Sequence, residues 1–94
     1  MGHEVKVSAA PAGDGWACSV EVAHGGSRTE HQVSVSRADV ERWGRGRRLE
    51  DVEELVARSF RFLLEREPPE AILKRFELSV IPGYFPEFSR VITK

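Results

Sequence analysis

Cys18 and His31 are the side chains of this sequence that come closest to the chemistry of an enzyme. If Gly25 and Gly26 form a hairpin turn, both lie on one sheet face as diagonal neighbours, roughly 7 to 8 Å apart between backbone positions. An imidazole that close can activate a thiol for nucleophilic attack. A mid-strand cysteine, however, lacks the helix N-terminus that commonly lowers a thiol pKa, and cysteine is often buried as a small hydrophobic residue. We therefore expect Cys18 in the core and His31 hydrogen-bonded at the sheet margin, with no catalytic residue.

No other pattern in the chain supports catalysis, a metal site or a cofactor. The sequence contains no Walker loop, no Gly-x-Gly-x-x-Gly, no nucleophile elbow and no paired-histidine zinc motif. His3 or His24 could join Cys18 and His31 as metal ligands, but the short spacings typical of zinc sites are missing. The sequence therefore predicts a protein that is not an enzyme and holds neither a metal nor a cofactor.

A basic segment, residues 37–48, offers a different chemistry. It holds five arginines against two acidic residues, a local net charge of +3. It leads into a helix N-terminus, where backbone N–H groups and guanidinium groups can bind phosphate and an aromatic ring can stack on a base. The candidate residues for anion or nucleic-acid binding are Arg42, Trp43, Arg45, Arg47 and Arg48. Four acidic residues between positions 50 and 54 can pair with these arginines instead, so this function is the alternative.

The C-terminal tail carries more apolar surface than a small protein usually leaves in water. Tyr84, Phe85 and Phe88 lie close together in it, and Val91 and Ile92 follow. Such a set packs either on the protein's own sheet or on another chain. We take Tyr84, Phe85 and Phe88 as the candidate partner interface, and a protein or a second copy of this chain as the partner.

Three segments alternate apolar and polar residues, as strands with one buried face do. Their apolar sets are Val5, Val7 and Ala9, then Trp16, Cys18, Val20 and Val22, then Thr29, His31, Val33 and Val35. A two-residue turn at Gly25 and Gly26 pairs Val22 with Thr29, Val20 with His31, Cys18 with Val33 and Trp16 with Val35. A slip of one residue would turn these side chains to water, so the register is a strict prediction.

Two helices should follow the strands. Ser36 and Asp39 have the spacing of a capping box, which predicts a short helix that runs through Trp43 and ends at Gly44. The main helix, Leu49 to Glu67, has an apolar side, an acidic first turn that suits the helix dipole, and a Pro-Pro pair after it. A further short helix, Glu70 to Phe76, can start after Pro69.

The pattern of the last segment is ambiguous. Phe76, Leu78 and Val80 alternate like a strand, whereas residues 80–88 have near-helical spacing interrupted by prolines and a glycine. Irregular or single-turn structure is our interpretation. We predict an α+β fold in which a three-stranded antiparallel meander packs against the main helix, with short helical or irregular terminal elements. The alternative is a four-stranded sheet whose last strand comes from Phe76 to Ile81.

Length and composition limit the number of domains, the kinds of partner and the cellular location that we expect. The chain has 94 residues, 40% of them hydrophobic and 31% charged, which predicts one folded domain, 1–94. The net charge of −1 offers no general attraction to nucleic acid or anionic lipid. No apolar run approaches the roughly 20 residues of a membrane span, and no secretory signal opens the chain. With one cysteine and hence no internal disulfide, we expect a cytoplasmic location.

Two resemblances add to these expectations. Three antiparallel strands followed by a helix resemble the order of elements in double-stranded RNA-binding domains, but those domains begin their last helix with lysines, where this chain has acidic residues. The tail from Phe76 to Phe88 resembles a segment of small uncharacterised bacterial proteins, a similarity that extends back to Phe60 and implies no activity. The function expected first is therefore a small non-enzymatic interaction or regulatory module.

Overall fold

A four-stranded mixed sheet forms the centre of the fold. The structure, a computed structural model, describes residues 3–93, so Met1, Gly2 and Lys94 of the predicted domain lie outside it. Strands β1 (Glu4–Ala12), β2 (Gly15–His24) and β3 (Ser27–Val35) are antiparallel neighbours, and β4 (Arg75–Glu77) pairs with β3 in parallel. The order across the sheet is β1-β2-β3-β4. The α+β prediction is confirmed, and the fourth strand of its alternative is present, although it covers Arg75–Glu77 and not Phe76 to Ile81.

The predicted register of β2 and β3 is confirmed pair by pair. Val20 lies opposite His31 and Cys18 opposite Val33, as a turn at Gly25 and Gly26 requires. Those glycines have φ angles of 54° and 87°, the left-handed conformation of this turn type. The local turn chemistry therefore fixes which side chains of both strands face the core.

Two α-helices follow the meander. Helix α1 (Arg37–Trp43) begins with the predicted capping box: the N–H of Asp39 donates to the Ser36 hydroxyl, and the N–H of Ser36 donates to the Asp39 carboxylate, both at 3.1 Å. Helix α2 (Leu49–Leu64) ends three residues before the predicted Glu67. Residues 65–67 form a hydrogen-bonded turn, in which the N–H groups of Arg66 and Glu67 both donate to the carbonyl of Leu63. That shared acceptor closes the helix one turn ahead of Pro68.

The tail is a series of short elements. The predicted helix from Glu70 to Phe76 is wrong: a 3₁₀ turn covers Pro69–Ala71, and β4 takes Phe76 into the sheet. The N–H of Gln32 donates to the Lys74 carbonyl at 2.7 Å, so pairing with β3 stabilises extended backbone here. Then come a 3₁₀ turn (Leu78–Val80), α3 (Ile81–Tyr84) and α4 (Phe88–Ile92), the single-turn structure that was predicted.

Helix α2 and the tail cover one face of the sheet, while the opposite face is open and polar. Phe60 of α2 packs against Phe76 of β4, with ring centroids 6.0 Å apart, and against His31 of β3 at 5.2 Å. None of the helices within residues 3–93 is long and apolar enough to cross a membrane. The largest fully buried apolar side chains are Phe60, Phe88, Leu55, Leu78, Val20, Val22, Val33, Val52 and Val56.

Candidate functional site

An apolar cleft opens beside the C-terminal end of α2. The end of α2, the segment that leads into β4, and α3 form its walls. Its volume is about 160 Å³. The lining residues are mostly large and apolar: Leu63, Glu67, Ala71, Ile72, Leu73, Phe76, Val80, Ile81, Tyr84 and Phe85. The cleft therefore presents a concave hydrophobic surface to solvent.

Two large side chains at the cleft are widely exposed. Tyr84 is 67% exposed and Leu73 is 50% exposed. Phe85 is half-buried and makes an edge-on contact with Phe62 of α2, with ring centroids 5.9 Å apart. Tyr84 and Phe85, two members of the interface predicted from the sequence, thus lie together at the cleft. Scattered exposed apolar residues are common on proteins, whereas several around one depression are typical of a binding surface.

Phe88, the third residue of the predicted interface, lies in the core. It is fully buried, and its ring meets those of Trp43 and Phe62 edge-on at 5.1 Å each. A side chain in that position stabilises the fold and is not available to a partner. Helical spacing in the tail could not show this, because the contact partners come from α1 and α2.

The cleft has one charged lining residue, Glu67. Neither Glu67 nor Leu73 was predicted from the sequence as a site residue. No described residue pairs with the Glu67 carboxylate. The neighbouring Arg66 is occupied: its guanidinium lies 3.6 Å from the Phe62 ring centroid and donates to Glu87 at 3.1 Å. A backbone hydrogen bond and then the bond from Arg66 lower the pKa of Glu87. The negative charge at the cleft is therefore uncompensated within residues 3–93.

Three of the five arginines of the basic segment are paired with carboxylates of the same chain. Arg45 lies 3.7 Å from Glu54, and Arg47 lies 3.4 Å from Glu41. Arg48 lies 3.7 Å from Glu50. These are exposed ion pairs of the kind expected from the acidic residues nearby. They compensate the charges of Arg45, Arg47 and Arg48.

The N-terminus of α2 is also occupied. The N–H of Arg48 donates to the Asp51 carboxylate at 3.1 Å, the position at which an anion would bind a helix end. A phosphate here would have to displace a covalently attached carboxylate. The contacts at both the arginines and the helix end disfavour anion binding.

Trp43 does not fit the predicted role in base stacking. It is only 2% exposed, and its indole N–H donates to the Ser89 hydroxyl at 3.2 Å. The Arg42 guanidinium lies 5.1 Å from the ring centroid. The indole is thus part of the packing between α1 and α4, a contact between distant segments that local sequence cannot reveal.

Cys18 and His31 share the predicted sheet face but lack the contacts of a catalytic pair. Burial, and then the charge of Glu53, raise the pKa of the Cys18 thiol from 9.0 to about 11, which disfavours the reactive thiolate. His31 is buried, not marginal as predicted, and both ring nitrogens have other partners. Its Nδ1 lies 2.8 Å from the Leu73 carbonyl and its Nε2 lies 2.9 Å from the Thr29 hydroxyl. Neither nitrogen remains to accept a proton from the thiol.

Metal chemistry and known relatives add no further site. Within residues 3–93, no group of three or more histidine, cysteine or acidic side chains is arranged to hold a metal ion. The apolar cleft is the candidate site. Comparisons with protein-family models, curated proteins and solved structures find no match to this chain.

Proposed function

We propose that this protein is a small non-enzymatic binding module, whose cleft accepts one apolar side chain of a peptide segment in a partner protein. The observation that carries the proposal is the cleft itself, with Tyr84 67% exposed and Leu73 50% exposed beside it. Aromatic and large aliphatic side chains around a pocket are typical of interface hot spots, since they bury much area at little cost in conformational entropy.

The volume of the cleft favours a peptide side chain over a metabolite as its occupant. A cavity of about 150 Å³ holds a group the size of benzene, whereas pockets for cofactors and drug-sized ligands measure about 300 to 1,000 Å³. At about 160 Å³, this cleft matches a single aromatic or large aliphatic side chain. A protein partner that inserts one anchor residue fits that size.

The charge at the cleft suggests which type of residue lies next to the apolar anchor in the bound peptide. The Glu67 carboxylate has no described partner, and the C-terminal end of α2 adds the negative end of a helix dipole. Both favour a cation. We therefore propose that the bound segment carries Lys or Arg next to its apolar anchor.

The proposal includes a cytoplasmic location. The support is Cys18, a buried thiol with no disulfide partner, as expected in a reducing compartment. Neither the location nor the binding activity requires the arginines at positions 45–48, which are engaged in ion pairs of their own.

Selection from a displayed library of random short peptides tests the proposal. We expect the selected peptides to share one aromatic or large aliphatic residue beside Lys or Arg. Tyr84→Ala and Leu73→Ser should each lower the affinity for a selected synthetic peptide by roughly tenfold or more, because each removes contact area at the anchor. Leu49→Ser is the matched control: Leu49 is 42% exposed but lies outside the cleft, so affinity should not change.

A separate variant tests the proposed cation beside the anchor residue. Glu67→Gln should lower the affinity for peptides that carry Lys or Arg. It should not change the affinity for peptides with a neutral residue at that position. Selection that yields no shared motif, or peptides whose affinity is the same for wild type and both cleft variants, would refute the proposed function.

A further inference from the structure

Strand β1 is an edge strand with only part of its outer side available. In an antiparallel pair, residues alternate between those whose N–H and C=O groups face the neighbouring strand and those whose groups face away. The N–H of Ala9 donates to the Glu53 carboxylate at 3.0 Å, so Ala9 is one of those that face away from β2. By the same alternation, the backbone groups of Val5, Val7 and Pro11 also face outward.

The two ends of this edge differ. Glu53 occupies the Ala9 N–H, and Pro11 has no N–H to offer, so the C-terminal half cannot take up another strand. Val5 and Val7 have no neighbouring strand on their outer side, because β1 is the first strand of the described sheet. Helix α2 packs along β1, but no described hydrogen bond occupies the outer backbone groups of Val5 and Val7, so the N-terminal half is the part of this edge that another strand could join.

We propose that this open half pairs with β1 of a second copy of the chain, antiparallel, about a two-fold axis at Val5. In this register Val5 lies opposite Val5 of the other copy, and Glu4 lies opposite Lys6 in both directions. Glu4 and Lys6 are exposed and have no described ion-pair partner. Two cross-strand pairs of opposite charge thus complete an interface that one sequence can form with itself.

Neighbouring registers are disfavoured for specific reasons. An axis at Lys6 places the two Lys6 side chains opposite each other, and like charges in that position destabilise a strand pair. An axis at Val7 pairs Val5 with Ala9, whose N–H is already bound to Glu53. The axis at Val5 avoids both problems.

This dimer does not depend on the proposed peptide cleft. The cleft borders β4, at the other edge of the sheet from β1. Pairing two β1 strands would join both sheets into one, with a cleft at each outer end. Loss of either site should leave the other intact, so the two proposals fail separately.

Charge reversal tests the dimer. Glu4 lies opposite Ala23 of β2, whereas Lys6 lies opposite Glu21, so the urea midpoint of each variant is compared with that of wild type to separate a loss of dimerisation from a loss of stability. Sedimentation analysis of wild type should show a dimer. Glu4→Lys alone, or Lys6→Glu alone, should raise the dissociation constant roughly 10- to 100-fold, since both cross-strand attractions become repulsions.

Two complementary samples should recover the dimer. The double variant with Glu4→Lys and Lys6→Glu restores opposite charges, and so does an equimolar mixture of the two single variants. Recovery in both would support the register at Val5. A monomeric wild type at every soluble concentration, or a dimer that the single variants do not weaken, would overturn the proposal.

Discussion

The imidazole Nδ1 of His31 lies 2.8 Å from the backbone carbonyl oxygen of Leu73. A carbonyl oxygen only accepts, so Nδ1 carries the hydrogen, and in the neutral ring Nε2 accepts from the Thr29 hydroxyl. This bond joins the centre of β3 to the segment that enters β4. Because the Leu73 side chain stands at the cleft, a core histidine thereby positions an exposed part of the candidate site.

Replacing His31 should destabilise the protein through this bond. In His31→Leu the Leu73 carbonyl loses its donor, which we expect to lower the free energy of unfolding by about 1–3 kcal/mol. Urea denaturation followed by tryptophan fluorescence measures the change. His24→Ala is the control, since His24 is an exposed histidine in the same sheet. Equal midpoints for His31→Leu and wild type would contradict the structural role of this bond.

Substitutions of the aromatic residues in the tail should differ in their effect on stability. Phe88→Ala removes a fully buried ring and should lower the free energy of unfolding by about 3–5 kcal/mol. Tyr84→Ala removes a ring that is 67% exposed, and a surface change of this kind alters stability by about 0.5 kcal/mol or less. Parallel urea titrations of the two variants test the contrast. A large loss of stability for Tyr84→Ala would mean that this ring packs on the fold, not at an open cleft.

Local patterns predicted the parts of the fold that local chemistry determines. Gly25 and Gly26 set the turn, and the turn sets the β2–β3 register. The capping box at Ser36 sets the start of α1. In each case the decisive groups lie within a few residues of one another, so a single sequence contains the information.

Contacts between distant segments explain what the sequence left out. Strand β4 becomes a strand by pairing with β3, more than forty positions earlier in the chain. Trp43 and Phe88 are both buried and pack edge-on against each other, although from the sequence Trp43 was a candidate for base stacking and Phe88 for a partner interface. Of the candidate interface, Tyr84 and Phe85 were found from composition, whereas Glu67 and Leu73 reach the cleft only because α2 ends early and β4 forms.

Arg58 should matter far more to stability than the arginines of the basic segment. Its side chain is 13% exposed, donates to Glu54 at 2.6 Å, and also donates to the carbonyls of Ile92 and Trp43. Arg58→Ala removes the cation that joins α2 to the ends of α1 and α4. We expect this loss to lower the free energy of unfolding by about 2–3 kcal/mol.

A matched pair of substitutions checks this difference. Arg47 is 72% exposed and bonds one exposed carboxylate, so Arg47→Ala should change the free energy of unfolding by less than about 1 kcal/mol. Arg58→Lys should recover only part of the loss, because an ammonium group cannot match the fork of the guanidinium. Thermal and urea denaturation of all three variants would settle the order, and equal effects of Arg47→Ala and Arg58→Ala would contradict it.

The buried thiol of Cys18 predicts a loss of stability in alkaline solution. Its pKa is raised to about 11 in the folded protein from 9.0, so between these values the unfolded chain releases a proton that the folded chain retains. The contribution is complete below pH 9 and is lost as the pH rises toward 11. The free energy of unfolding should fall by up to about 1.4 kcal/mol per pH unit across this window.

Cys18→Ala isolates the thiol from the other groups that titrate in alkali. The variant starts less stable because it loses buried contacts, but its decline between pH 9 and pH 11 should be shallower by the amount that the thiol contributes. Urea denaturation at a series of pH values gives both slopes. Wild type and Cys18→Ala share all other titratable groups. Equal slopes of the free energy of unfolding against pH would therefore contradict the conclusion that burial keeps the Cys18 thiol protonated.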